Sequence, residues 1–121
     1  MNKPFFAPPA ILFPIVWTIL YILMGISSYL VYTSSATKED KKTSLTFYGV
    51  QLILNSLWTL LFFRFNLYLF SYIWILLIIV FLGITMYKFY KIKPLSAFLQ
   101  IPYLLWLIFA SILNFSIYIL N

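Results

Sequence analysis

The chain of 121 residues is 64% hydrophobic and 8% charged, with a mean hydropathy of +1.03, which excludes an ordinary water-soluble domain of this size. Its net charge of +6 comes from lysines confined to short polar breaks, so it reads as a topology signal and not as a nucleic-acid footprint; no nucleic-acid partner is expected. With no Cys, no His and only Glu39 and Asp40 as carboxylates, disulfides, metal sites and conventional acid–base catalysis lack their residues, and the chain reads as a binding protein more than as an enzyme.

A helix needs about 20 apolar residues to cross a hydrocarbon core of about 30 Å. Four runs meet that length, at residues 10–32, 45–63, 67–87 and 95–120. The expected fold is therefore an all-α membrane protein, a bundle of four transmembrane helices forming one domain over residues 1–121.

Residues 1–9 are a proline-punctuated lead-in, and Pro8 and Pro9 suit the start of the first span, where a missing N–H costs nothing. Pro14 falls inside that span and is expected to kink it. The first run is not read as a signal peptide, because Lys3 is its only basic residue and no small-x-small cleavage site follows. The segment 33–44, which carries Lys38, Glu39, Asp40, Lys41 and Lys42, is the one connection expected to be long enough for mobility. From Thr43 to Tyr87 a single helix would extend roughly 68 Å, about twice the bilayer core, so the chain must turn near Arg64–Asn66. Pro94 opens the fourth run and Pro102 is expected to kink it. No heptad, internal repeat or low-complexity segment stands out. Six lysines lie in the connections after the first and third spans, against Lys3 and Arg64 at the other end. The positive-inside rule then puts the lysine-rich loops in the cytoplasm and both termini outside.

Inside the spans, polar and tryptophan residues recur at helical spacing. Pro14, Trp17, Tyr21 and Ser28 share one face of the first span; Gln51, Asn55 and Trp58 share one of the second; Tyr103, Trp106, Ala110 and Asn114 share one of the fourth. At about 1.5 Å per residue, Trp17, Trp58, Asn55, Asn114 and Ala110 all lie about 9–16 Å from the terminus-bearing face. A pocket at that depth would be aromatic with a few convergent amides, as sites for large planar or steroidal ligands are lined. Two plainer readings compete. The tryptophans, Trp74 above all, also suit an interfacial belt, and a single intramembrane Asn is more often packing glue than a ligand contact.

The runs KPFFAPPAILFPIVWTILYILMGISSYLVY, QLILNSLWTLLFF and PYLLWLIFASILNFSIYILN closely resemble the TspO/MBR family, the tryptophan-rich sensory proteins and translocator (peripheral benzodiazepine receptor) proteins. The resemblance covers about half the chain, in the family's order and spacing. It implies a five-helix membrane fold, often dimeric, that binds porphyrins, haem, cholesterol and synthetic ligands with receptor or transport roles in stress or tetrapyrrole regulation. On matching positions it implies ligand contacts at Trp17, Asn55, Trp58, Trp106, Ala110 and Leu113, to which the stripes add Tyr21 and Asn114. No cofactor is required; porphyrin or haem would be a ligand, and the lipid bilayer and a second copy are the other partners implied.

Three departures qualify this expectation. The tryptophans the family would place near Phe6 and Ile11 are absent. Tyr118 is followed only by Ile119, Leu120 and Asn121, without the basic residue of the animal cholesterol motif, which weighs against cholesterol. Leu82, Tyr87 and Lys91 fit the same loose consensus, a weak pattern in such a chain. The chain also begins where the family's second helix would begin, so it is expected to correspond to helices two to five. Two other outcomes stand beside ligand binding: a porphyrin-degrading, photo-oxidative activity, and a partner-dependent fragment.

Overall fold

The computed structural model describes residues 4–9 and 11–121; Lys3 and Ala10, on which two of the expectations above fall, lie outside them. Among the described residues, four helical stretches are long and apolar enough to cross a membrane: Leu12–Tyr32, Lys38–Arg64, Tyr68–Ile92 and Pro94–Leu120. We label the elements α1 (Leu12–Tyr32), α2 (Lys38–Thr59), which ends in a π turn over Leu60–Arg64, α3 (Tyr68–Ile92), the short α4 (Pro94–Phe98) and α5 (Ile101–Leu120). No strand occurs among the described residues.

A seam that the sequence did not advertise organises the bundle. In α3 the buried residues are Ser71, Ile75, Ile78, Leu82, Thr85 and Phe89, a strict alternation of four and three. Leu20, Met24, Ser27 and Val31 repeat it in α1, and Tyr103, Leu107, Ala110, Asn114 and Ile117 in α5. This is the spacing by which packed helices keep one stripe facing a partner. It stayed hidden because the outward faces are as apolar as the seam: Ile15, Ile19, Ile22, Ile73, Val80 and Ile112 are all exposed, as lipid-facing residues are. The inside is marked by polarity, with Ser27, Gln51, Asn55, Ser71, Thr85, Ser96, Gln100, Ser111 and Asn114 all buried.

Helix ends explain the connections. Thr37 caps α2, its Oγ1 accepting from the Asp40 N–H at 3.1 Å, and Glu39 and Asp40 occupy the positive first turn. The helix therefore starts at Lys38, and the connection expected over 33–44 shrinks to the residues between Tyr32 and Lys38. The turn expected at Arg64–Asn66 is made by the π turn, whose Leu60 carbonyl accepts from the Phe65 N–H at 3.1 Å. Asn66 follows at φ 55°, the left-handed conformation that Asn tolerates better than most residues.

Neither interior proline behaves as expected. Pro14 lies in the first turn of α1, where the intrahelical N–H it lacks is not needed. Pro102 likewise sits in the first turn of α5, because the fourth span breaks at Leu99–Gln100. That break has a use. The Gln100 N–H turns back to the Ala97 carbonyl, and the Ser96 carbonyl accepts instead from Ser27 Oγ at 2.6 Å. Ser96 Oγ returns a bond to the Ser27 carbonyl at 3.0 Å, and Gln100 Nε2 donates to Ser27 Oγ at 3.0 Å. Three bonds at one serine tie α1 to the α4–α5 junction.

A second knot ties α2 to α5. Asn55 Nδ2 donates to Tyr103 Oη at 2.8 Å, and Tyr103 Oη donates to Gln51 Oε1 at 2.7 Å. Interhelical hydrogen bonds in membranes average about 0.6 kcal/mol each, so Tyr103→Phe is expected to lower unfolding stability in mixed micelles by about 1 kcal/mol. Tyr29→Phe, at a site 64% exposed, should shift it by under about 0.5 kcal/mol.

Candidate functional site

The aromatic stripes converge where α1, α2 and α5 approach the membrane face that carries the chain's N-terminal segment. Trp17 stacks on Tyr21 one turn below it, with ring centroids 5.6 Å apart at 30°, and meets Trp106 edge-on at 6.3 Å. Phe13 meets the same indole at 5.6 Å. From α2, Trp58 lies flat on Phe62 at 5.2 Å and 13°, and Phe62 meets Phe63 edge-on at 4.8 Å. Between these two aromatic groups is a cavity of about 310 Å³, at the small end of the range for ligand sites.

Seven of the eight residues singled out from sequence line it: Trp17, Tyr21, Trp58, Trp106, Ala110, Leu113 and Asn114. Asn55 does not. Its amide is held against Tyr103, where it joins α2 to α5. Sequence reasoning missed Ala7 and Pro8 over the top, Phe13 on α1, Thr59, Phe62 and Phe63 on α2, and Ile117 on α5. Phe62 and Phe63 were legible in principle, since they follow Trp58 and Thr59 by one helical turn. The contributions of Ala7 and Pro8 depend on how a non-helical segment folds back.

Polar groups at the cavity fall into two kinds. Those of Trp58 and Asn114 are already engaged: Trp58 Nε1 donates to Asn114 Oδ1 at 3.2 Å, and Asn114 Nδ2 donates to the Tyr68 carbonyl at 2.8 Å. All three amides of the stripes, Gln51, Asn55 and Asn114, thus act as interhelical ties. Trp106 Nε1 is the opposite case, buried and without a hydrogen-bond partner, on a side chain that lines the cavity. Trp74 is also a tie: its Nε1 donates to the Leu54 carbonyl at 2.8 Å, fastening α3 to α2.

The cavity has an open edge. Tyr21 and Phe63 are 47% and 54% exposed, and Thr59 between them is exposed too, so the wall between α1 and α2 is incomplete. None of the described lining residues carries a formal charge.

The fold and the cavity together define a multi-pass helical membrane protein with an aromatic, uncharged site near one face. Comparison with known proteins gives the family. The TspO/MBR family profile matches residues 1–120. The chain is 38% identical over 119 residues to the tryptophan-rich protein TspO of Chlorobaculum tepidum, covering 98% of this chain and 75% of that one. It is 40% identical over 121 residues to the tryptophan-rich protein TspO of Archaeoglobus fulgidus, covering 100% and 77%. Against the human translocator protein it is 34% identical over 119 residues, covering 98% and 70%. The chain belongs to the TspO/MBR family and is a multi-pass integral membrane protein.

If Trp58 and Asn114 are a tie, their energies must couple. A double-mutant cycle with Trp58→Phe and Asn114→Leu should return a stabilising coupling of about 0.6 kcal/mol, and up to about 1.7. A coupling of zero would show that the bond contributes nothing to the fold.

Proposed function

We propose that the protein binds porphyrins or similar large planar hydrophobic molecules in the cavity between α1, α2 and α5, in stress or tetrapyrrole regulation. The observation that carries this reading is the unpartnered Trp106 Nε1–H on a cavity wall built mostly of aromatic rings and aliphatic carbon, with Asn114 already engaged. A buried donor without an acceptor costs roughly 1–3 kcal/mol, and a ligand carrying an acceptor, such as a ring nitrogen or a carbonyl, recovers it. Aromatic faces on both sides suit a flat π system.

The lining supports one pose for a porphyrin. Among the described residues no Lys or Arg lines the cavity to meet its carboxylates, so the macrocycle goes inward and the acidic side chains stay at the open edge by Tyr21, Thr59 and Phe63. The modest volume fits the same pose, with part of the ring left outside. Of the side chains that ligate haem iron, the lining offers only Tyr21. Haem would then be held mainly by stacking, with an affinity close to that of metal-free protoporphyrin.

The translocator name belongs to relatives; transport by this chain is part of the proposal, with the gap between α1 and α2 as the lateral entry. The lysine-rich end, opposite the cavity, is placed in the cytoplasm by the positive-inside rule. A C-terminal alkaline phosphatase fusion should therefore be active, and an inactive one would reverse the orientation.

Protoporphyrin IX titrated into the detergent-solubilised protein should quench tryptophan fluorescence saturably. Trp17→Phe and Trp106→Phe should each weaken binding by about tenfold, equivalent to about 1.4 kcal/mol, whereas Asn55→Leu should cost stability and leave affinity within about twofold. Linear, unsaturable quenching would overturn the proposal, and loss of the porphyrin's absorption in light during the same titration would identify turnover in place of binding.

A further inference from the structure

The lysine-rich end of the bundle holds a second concavity, far from the aromatic cavity. It has a volume of about 540 Å³ and lies between the α1–α2 connection, the first turns of α2 and the last turns of α3. Ser35, Thr37, Asp40, Thr43, Lys88 and Lys91 supply its polar wall. Lys88 Nζ rests over the Phe47 ring at 5.2 Å, and Lys91 Nζ over the Tyr87 ring at 4.6 Å. Neither ammonium is within salt-bridge distance of a described carboxylate: aromatic faces hold both side chains in place without neutralising them.

We propose that this concavity is a headgroup site for an anionic glycerophospholipid, with the phosphodiester between Lys88 and Lys91. Two observations select a lipid over a soluble anion. First, the charge is limited: two ammonium groups face one carboxylate, Asp40, leaving a wall of net +1 that matches a singly charged phosphodiester better than a dianionic phosphate. Second, an apolar stripe leads to the site along the lipid-facing side of α3. Ile73, Leu77, Val80 and Tyr87 are 57%, 40%, 57% and 60% exposed, and Lys91 follows Tyr87 by one turn on the same stripe. Acyl chains lie along that stripe, the Tyr87 ring sits at headgroup level as interfacial aromatics do, and the hydroxyls of Ser35 and Thr43 face the phosphate and glycerol oxygens. The other lysines of this end, Lys38, Lys41, Lys42 and Lys93, supply long-range attraction to an anionic leaflet without shaping the site.

The test is lipid retention by the full chain in native mass spectrometry from a neutral detergent, with equimolar phosphatidylglycerol and phosphatidylcholine, and with inorganic phosphate and glycerol 3-phosphate as headgroup-only arms. Phosphatidylglycerol should be retained preferentially, and neither soluble anion should compete at matched concentration. Lys88→Gln and Lys91→Gln should each reduce the preference by about fivefold, with protoporphyrin quenching in the distant cavity unchanged as the control for folding. Lys41→Gln with Lys42→Gln, which removes twice the charge of either single substitution from the same end, should leave it within about twofold, and Asp40→Asn should raise it. Equal loss in both lysine pairs would reduce the effect to diffuse attraction and overturn the site, as would equal retention of the two lipids. Displacement by glycerol 3-phosphate alone would reassign it to a soluble anion.

Discussion

In a bilayer a polar group has no water to fall back on, so a buried amide or hydroxyl costs free energy unless another part of the protein meets it. The hydroxyl of Tyr103 is where this constraint bears hardest. It accepts from Asn55 and donates to Gln51 Oε1, using one phenol to hold two amides of the neighbouring helix. Tyr103 is 1% exposed and both amides are equally enclosed. Rotating either helix by a fraction of a turn would leave two amide groups facing hydrocarbon, so the register of α2 against α5 is set here. The aromatic walls of the cavity inherit that register, since Trp58 and Trp106 each lie three residues further along their own helix from Asn55 and Tyr103.

The same constraint makes a cavity possible. Ser27, Ser96 and Gln100 pull α1 against the α4–α5 junction at the lysine-rich end. At the other end the α1 contacts to α5 are ring to ring, Phe13 and Trp17 against Trp106 and Trp17 against Tyr103. Helices pinned at one end and spaced by bulky indoles at the other leave room between them. The tie between Trp58, Asn114 and the Tyr68 carbonyl closes the back of that room and uses up its amides, leaving an uncharged aromatic chamber.

Much of this was legible from the sequence, for reasons that can be named. Span count follows from length and hydropathy, and the turn at Asn66 follows from bilayer thickness alone. Face assignments of Trp17, Tyr21, Trp58, Trp106, Ala110 and Asn114 follow from the 3.6-residue period. The failures are equally physical. Asn55 was placed in the pocket because periodicity gives a face and not the partner that occupies it; only packing reveals that Tyr103 reaches it first. The α2 start at Lys38 was missed because an apolar-run criterion ignores polar helical turns, although Thr37 followed by Glu39 and Asp40 is an ordinary capping signal. Pro102 was read as a kink because the break at Leu99–Gln100 has no Gly or Pro of its own. The four-three seam was invisible to hydropathy, since lipid and core ask for the same residues, and became readable only once Ser, Gln, Asn and Thr were taken as the markers of the inside.

The two ends of the bundle differ in chemistry, and the difference follows from where charge can be tolerated. The α2–α3 turn contributes Arg64 as the one charge between residues 43 and 87, so the cavity beside it is shaped by rings and remains hospitable to an apolar guest. At the opposite end α2 extends about two turns beyond the apolar run, through Lys38, Glu39, Asp40, Lys41 and Lys42, and α3 ends in Lys88 and Lys91. Those charges can exist only where headgroups and water solvate them, which fixes how deep α2 and α3 sit in the bilayer. Because α2 carries both the lysine-rich turns and Trp58, the depth imposed at one end sets the height of the aromatic cavity at the other. The open edge at Tyr21, Thr59 and Phe63 is thereby held at a fixed level near the opposite face, where a flat, partly acidic molecule in the membrane would meet it.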